Sequence, residues 1–590
     1  MRALLIAVLA AATFVAPSAV GAQVDENEAP SHLNEATVAQ LQAMTRSGEL
    51  TSVALTRYYL DRIERLDQNG PSVNSVIEVN PDALAIARQA DEQRRQGHVM
   101  GPLHGIPVLL KDNIGTGDRM QTTAGSFALA GRPALSDSTV AAKLRAGGAV
   151  ILGKTNLSEW ANFRSFFSTS GWSGRGRLTR NPYSLDRNAC GSSSGSGAAA
   201  AANFTAVSIG TETDGSIVCP ASVNSVVGIK PTVGLTSRAG VVPISHIQDT
   251  AGPHGRTVAD AAALLSVIAS TSADPRDPAT GDVPLGWRGT GRTRPSIPTD
   301  YTQFVRADGL NGARIGVVRP TSFLNNATPQ TIAAFDAAVA AIRAAGATTV
   351  DIPASAFPPA GGEFEVLLYD FKVDVAAYFA TREGVPMAHK TLADAIAFNT
   401  ANAATEMPFF FQEIFVFANQ MNTSGPNPGN NPQPLFGGRT YNQALEIDRL
   451  AGVGFDTVLR NNNVQAIVAP TDSPAWTTDL INSDHFLFAS SGMAGGPGFP
   501  IVQVPAGTVL GLPVGISFIG TAFSEPTLIR FAAGFEAQTH ARVTPTFAPS
   551  LPVDTFEPNT SEQGQPQGTS DRNFLEPETG REKGKEVHRL

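Results

Sequence analysis

The 590-residue chain carries 43 Lys+Arg against 52 Asp+Glu, for a formal net charge of −9, and is 42% hydrophobic and 16% charged. That balance suits a large soluble enzyme with a substantial core. It excludes the basic footprint of a nucleic-acid binder, because Lys and Arg gather into no patch or stripe.

The first residues join a short basic start to the apolar run Leu4–Val15 and the small residues Val20-Gly21-Ala22. This is the pattern of a secretory signal cleaved after Ala22, and the run stops at Pro17, short of the ~20 residues a spanning helix needs. The expectation is a signal peptide over 1–22 and a short extension over 23–34. The mature protein is then secreted or periplasmic, with no stable membrane insertion. From Glu35 to Asp67 the apolar period is helical, with Thr51 or Ser52 as a cap. Strands follow at Val76–Val79 and Ile106–Leu110 around a helix from Pro81 to Gln96. The alternation continues with a helix at Ser138–Ala146, a strand at Val150–Leu152, a helix of small residues at Ala198–Asn203 and a strand at Val207–Ile209.

Late apolar runs at Asn463–Ala469, Ile501–Val504 and Gly511–Ile519 need cover on both faces, so they belong to the same sheet as the first half. The predicted fold is α/β, a single large mixed sheet sandwiched between helices. Asp554–Leu590 holds few aliphatic or aromatic residues, and residues 546–590 read as a disordered polar tail beyond a catalytic domain over 35–545. The aromatic run Phe409–Phe417 reads as core before it reads as an acyl pocket.

The cysteines are Cys190 and Cys219, read first as two small buried side chains, with a disulfide open to them in an oxidising compartment. No Cys-x-x-Cys or His-Glu-x-x-His occurs and the histidines are scattered, so no metal and no cofactor is expected.

Chemistry concentrates in three segments. Gly210-Thr-Glu-Thr-Asp-Gly-Ser216 follows a strand and forms a turn whose N–H groups can cradle a developing oxyanion. Cys190-Gly-Ser-Ser-Ser-Gly-Ser-Gly197 supplies further hydroxyls, and Lys111 ends an apolar run where its ammonium loses water. A serine nucleophile needs a base, and lysine serves only if desolvation brings its pKa down from about 10.4.

With Gly105-Ile-Pro-Val-Leu-Leu-Lys-Asp-Asn113 and Gly153-Lys-Thr-Asn-Leu-Ser-Glu159, these segments stand in the order of the amidase signature family, which the chain resembles over roughly residues 35 to 545. The resemblance implies Ser216 as nucleophile, Ser192 as a bridging serine after a cis Gly191-Ser192 bond, and Lys111 as base. It implies an oxyanion hole from the backbone N–H groups of Thr213, Asp214, Gly215 and Ser216. Asp214-Gly215 stands where many members have two glycines, and Glu212 where Asp is usual. The run Ser192-Ser193-Ser194 leaves the bridge open between Ser192 and Ser193 by eye, and the family's spacing of 24 to Ser216 selects Ser192. This run and the departures, with Lys154–Arg164 and Ser170–Ser173, resemble the bacterial peptide amidase branch, whose members release ammonia from C-terminal peptide amides.

Other readings carry their own signatures. Gly191-Ser-Ser-Ser-Gly195 also fits a hydrolase elbow with Ser193 as nucleophile and His246, His254 or His485 as partner, but the polar Asn181–Asn188 precedes it where a buried strand belongs. An inactive secreted binding protein has no need of Lys111, Ser192 and Ser216 together. Small aliphatic or aryl amides are the alternative substrates within the family.

Overall fold

A computed structural model describes residues 33–358 and 361–551, so the expected signal peptide and nearly all of the polar tail lie outside the described residues. The strands are β1 (Val76–Val79), β2 (Pro107–Lys111), β3 (Val150–Thr155), the short hairpin β4 (Trp172–Ser173) and β5 (Arg177–Leu178), β6 (Val207–Glu212), β7 (Val227–Lys230), β8 (Thr250–Gly255), β9 (Arg314–Arg319), β10 (Thr348–Pro353), β11 (Ala466–Pro470), β12 (Ile501–Val509) and β13 (Leu512–Ile519). All but the hairpin form one eleven-stranded sheet, ordered β1-β3-β2-β6-β8-β7-β12-β13-β11-β9-β10.

The sheet is mixed for reasons visible in its strands. β2, β3 and β6 run parallel, with Leu110 opposite Ile209, and each is buried along its whole length. Strands covered on both faces are continuous apolar runs, which is how Val108–Leu110 reads. β12 and β13 form an antiparallel hairpin that docks on β7 through Ile501 opposite Lys230, joining the late sequence to the early half. One apolar cluster accordingly runs from Leu33 through the central strands to Phe535.

The expected helix over 35–67 is two helices, Val38–Ser47 and Ser52–Arg62, broken at Gly48, which takes a left-handed φ of 78°. Thr51 caps the second by accepting from the N–H of Ala54. The small-residue helix begins earlier than its alanines suggest, at Ser194, and ends at Ala201. Its lack of bulk lets it lie against the sheet: Ser196 Oγ donates to the carbonyl of Ile209 at 3.0 Å. A β-carbon on Gly195 would come 2.3 Å from the carbonyl oxygen of Ser75. The aromatic run is divided. Phe410 and Phe415 are buried, whereas Phe411 stands exposed. No described helix is long and apolar enough to cross a membrane. Of the expected tail, residues 546–551 are among those described, and the N–H of Leu185 donates to the carbonyl of Ala548 at 2.8 Å.

Candidate active site

Lys111 is the last residue of β2 and Glu212 the last of β6. The two strands are parallel neighbours, so both chains leave the sheet at the same edge, at the carboxyl ends where open α/β sheets gather their ligands. The segment after β6 turns back at once into a helix at Val218–Val223. Glu212 holds that turn closed: one carboxylate oxygen accepts from the N–H groups of Ile217 at 2.6 Å and Val218 at 3.0 Å. Gly215 sits at φ 78°, a left-handed conformation costly for any residue with a β-carbon.

The structure brings the predicted residues together. Lys111 Nζ lies 2.8 Å from Ser192 Oγ, 2.9 Å from Thr211 Oγ1 and 3.1 Å from the Thr211 carbonyl oxygen. The N–H of Ser193 donates to the carbonyl of Ser216 at 3.1 Å, which stitches the two serine motifs side by side. The Gly191-Ser192 peptide bond is cis, as the resemblance implies. Lys111 and Ser192 are fully buried, while Ser216 retains 9% exposure, so of the three it is the one that solvent reaches. Within the described residues, the protein offers no acceptor to the backbone N–H groups of Thr213, Asp214, Gly215 and Ser216.

Burial pulls the Lys111 ammonium down to about 7, against the opposing pull of the Asp249 and Glu212 carboxylates. At neutral pH a substantial fraction of the amine is therefore free. Two N–H donors then serve Thr211, and the nitrogen lone pair faces the Ser192 hydroxyl. Asn113 Nδ2 donates to Thr211 Oγ1 at 2.9 Å, fixing the threonine that in turn fixes the lysine. Ser193, the elbow candidate, is fully buried, and its hydroxyl donates to the Thr211 carbonyl at 3.0 Å while accepting from the Thr211 N–H at 3.2 Å. The three candidate histidines have other partners. His254 Nε2 lies 3.0 Å from the Ile217 carbonyl oxygen, His246 pairs with Asp374, and His485 lies near Asp479.

Three features escaped the sequence. Asp249 lies in an ordinary-looking turn, yet it accepts from Thr213 Oγ1 at 2.7 Å and from the N–H groups of Ile244 at 2.8 Å and Ser245 at 3.0 Å. It thereby anchors the turn and places negative charge near Lys111. Thr211 and Asn113 position the lysine; both lie inside the motif segments, but nothing in those segments assigns them that role. The cysteines are the third feature and a correction. Cys190 and Cys219 are not two separate buried side chains but a disulfide with a Cα separation of 6.0 Å. It ties the segment before Ser192 to the helix after Ser216.

Comparison with known proteins agrees with this geometry. The family model described as Amidase matches residues 54–529. A probable amidase of Arabidopsis thaliana is 41% identical over 529 residues, covering 87% of this chain and 92% of its own. An amidase family protein of Bacillus anthracis superposes with a TM-score of 0.73 at 33% identity, covering 87% of this chain and 92% of that one. The native peptide amidase of Stenotrophomonas maltophilia superposes with a TM-score of 0.78 at 46% identity, covering 88% of this chain and 100% of that one. The chain therefore belongs to the amidase family, the amidase signature enzymes, and is a hydrolase acting on amides.

Proposed function

We propose that the protein is a serine amidase that hydrolyses the C-terminal carboxamide of peptides through an acyl-enzyme, with Ser216 as nucleophile, Ser192 as relay and Lys111 as base. The observation that carries the reading is the 2.8 Å approach of Lys111 Nζ to Ser192 Oγ, with the lysine brought to about 7 by burial. Ser216 Oγ attacks the amide carbonyl as its proton passes to Ser192 Oγ, whose own proton passes to neutral Lys111. The N–H groups of Thr213, Asp214, Gly215 and Ser216 receive the oxyanion, a contribution of about 3–4 kcal/mol for one well-placed donor. The tetrahedral adduct collapses as the proton returns through Ser192 to the departing nitrogen, and ammonia leaves. Water then repeats the sequence on the ester, with its proton taken by the same relay. Lysine is thus base and acid in turn, which a pKa near the working pH favours.

The peptide-amide assignment rests on the likeness to the peptide amidase of Stenotrophomonas maltophilia at 46% identity. It rests also on the Ser170–Ser173 segment, which resembles that branch and packs, with Ser158, against Gly191, where a β-carbon would meet Ser158 Oγ at 2.1 Å and Ser170 Oγ at 3.0 Å. A pocket with room for only NH₂ beyond the scissile carbonyl rejects a continuing chain by steric exclusion. The test is one peptide supplied as amide and as free acid, with ammonia and product mass followed. Ammonia from the amide with all internal bonds intact supports the assignment. Internal cleavage, or fast release from small aliphatic or aryl amides alone, moves the protein to another branch of the family. The N-terminal sequence and the Cys190–Cys219 disulfide both favour an oxidising compartment outside the cytoplasm. Sequencing the N-terminus of protein recovered from such a fraction tests this, with Gln23 as the expected first residue.

A further inference from the structure

A second cluster of side chains lies apart from the serines, around the segment that anchors the oxyanion turn. His246 follows Ser245, whose N–H Asp249 accepts, and it faces the helix Glu363–Ala380. His246 Nδ1 lies 2.9 Å from Asp374 Oδ2, 3.1 Å from Asp374 Oδ1 and 3.7 Å from Asp370 Oδ1. One donor atom from each of the three residues falls within 4.8 Å of the others.

We propose that His246, Asp370 and Asp374 form a binding site for one divalent transition-metal ion of the zinc type. The ion pair with Asp374 accounts for two of the oxygens near Nδ1, but it leaves the fully buried Asp370 carboxylate turned toward the same atom at 3.7 Å, with no cation of its own there among the described residues. A metal ion takes all three residues at once. In a tetrahedral site with bonds of about 2.0–2.2 Å, ligand atoms stand about 3.4 Å apart; here Nδ1 lies 2.9 and 3.7 Å from the two carboxylates, and all three atoms fall within 4.8 Å. Imidazole with carboxylates suits zinc and its neighbours, and soft thiolates are not needed.

The carboxylates are also held in place as ligands usually are. Ser245 Oγ donates to Asp370 Oδ2 at 2.6 Å and Tyr441 OH donates to Asp370 Oδ1 at 2.7 Å, while the backbone N–H of His246 donates to Asp374 Oδ2 at 2.7 Å. Each acceptor oxygen keeps a second lone pair for the ion. The nearby Arg238 donates hydrogen bonds to Asp277 at 2.6 Å and to the His246 carbonyl at 2.8 Å, not to Asp370 or Asp374, although its charge acts on Asp374. Access is open, since the His246 side chain is 53% exposed and lines a cavity of about 270 Å³ that also reaches Asp249 and Asp374. An ion here clamps the 244–249 segment to the helix and so steadies Asp249 without entering the hydrolytic chemistry.

The test is calorimetric titration of the untagged full chain, stripped with chelator and dialysed, with Zn²⁺ alone, repeated with Co²⁺ to read its visible absorption. One equivalent should bind, the Co²⁺ band should appear, and the thermal midpoint should rise with Zn²⁺. His246→Ala and Asp374→Asn should each weaken binding by about tenfold or more and abolish the band. The His246 side chain is 53% exposed, so His246→Ala should melt like the metal-free parent. Asp374 is only 16% exposed and accepts the His246 backbone N–H, so its variant is read by metal uptake and the Co²⁺ band, and His485→Ala should bind as the parent does. No saturable uptake up to about 1 mM metal, a range that catches even weak sites, overturns the proposal. So does binding that survives both substitutions.

Discussion

The pH dependence of acylation exposes the lysine most sharply. With Lys111 at about 7, the neutral fraction rises about tenfold between pH 6 and pH 8, and kcat/KM should climb with it before levelling. The same shift has a stability consequence whose sign can be worked out. The folded value lies below the unfolded value of 10.5, so between about 7 and 10.5 the unfolded chain holds the extra proton and stability rises with pH. Below pH 7 the full cost is present, about 5 kcal/mol for a displacement of this size. Lys111→Met removes that cost and leaves the Ser192 hydroxyl without the lysine, a loss of about 1–3 kcal/mol, while Thr211 keeps Asn113 Nδ2 on its hydroxyl and Ser193 Oγ on its carbonyl. The variant should therefore be inactive yet melt no lower than the parent at pH 6, with the gap narrowing at pH 9. Stopped assays of kcat/KM from pH 5 to 9, paired with thermal melts, read both effects. A flat profile, a limb above pH 9, or a Lys111→Met variant that keeps the parental profile refutes the reasoning.

Asp249→Asn should lower kcat by about tenfold or more by freeing Thr213 from its anchor, and should move the Lys111 limb to lower pH because the negative charge that supports the ammonium is gone. Steady-state kinetics across pH separates the two effects. Cys190→Ala with Cys219→Ala opens a loop with a sequence separation of 29 and should cost about 3–4 kcal/mol in the chain-entropy account, read by denaturant unfolding. Parental stability with parental activity would show that the disulfide contributes nothing to holding the two serine segments.

Much of the sheet was legible because its buried parallel strands carry unbroken apolar runs, as in Val108–Leu110 and Val150–Leu152. β8 was not. Thr250-Ala-Gly-Pro-His-Gly255 carries two glycines and a proline and has no strand-like pattern, yet it lies between β6 and β7 because those neighbours bury it. Its extended state is imposed by tertiary context rather than by its own residues. Lys111, Ser192 and Ser216 were legible through motifs whose order and spacing the family resemblance supplied. Asp249 was not, because a buried carboxylate accepting from a turn looks in sequence like any polar turn residue. The pairing of Cys190 with Cys219 likewise depends on a Cα separation of 6.0 Å that no spacing reveals. The cluster of His246 with Asp370 and Asp374 is spread over more than a hundred residues, where no metal motif could register it.

The central claim is that Ser216 is the atom donor to the acyl-enzyme, and covalent labelling addresses it directly. The protein treated with a serine-directed phosphonate, digested and analysed by mass spectrometry should carry one adduct on the peptide containing Ser216, with loss of activity in proportion. Ser216→Ala should take up no label while remaining folded. An adduct on Ser193, or inactivation with Ser216 unmodified, would contradict the account.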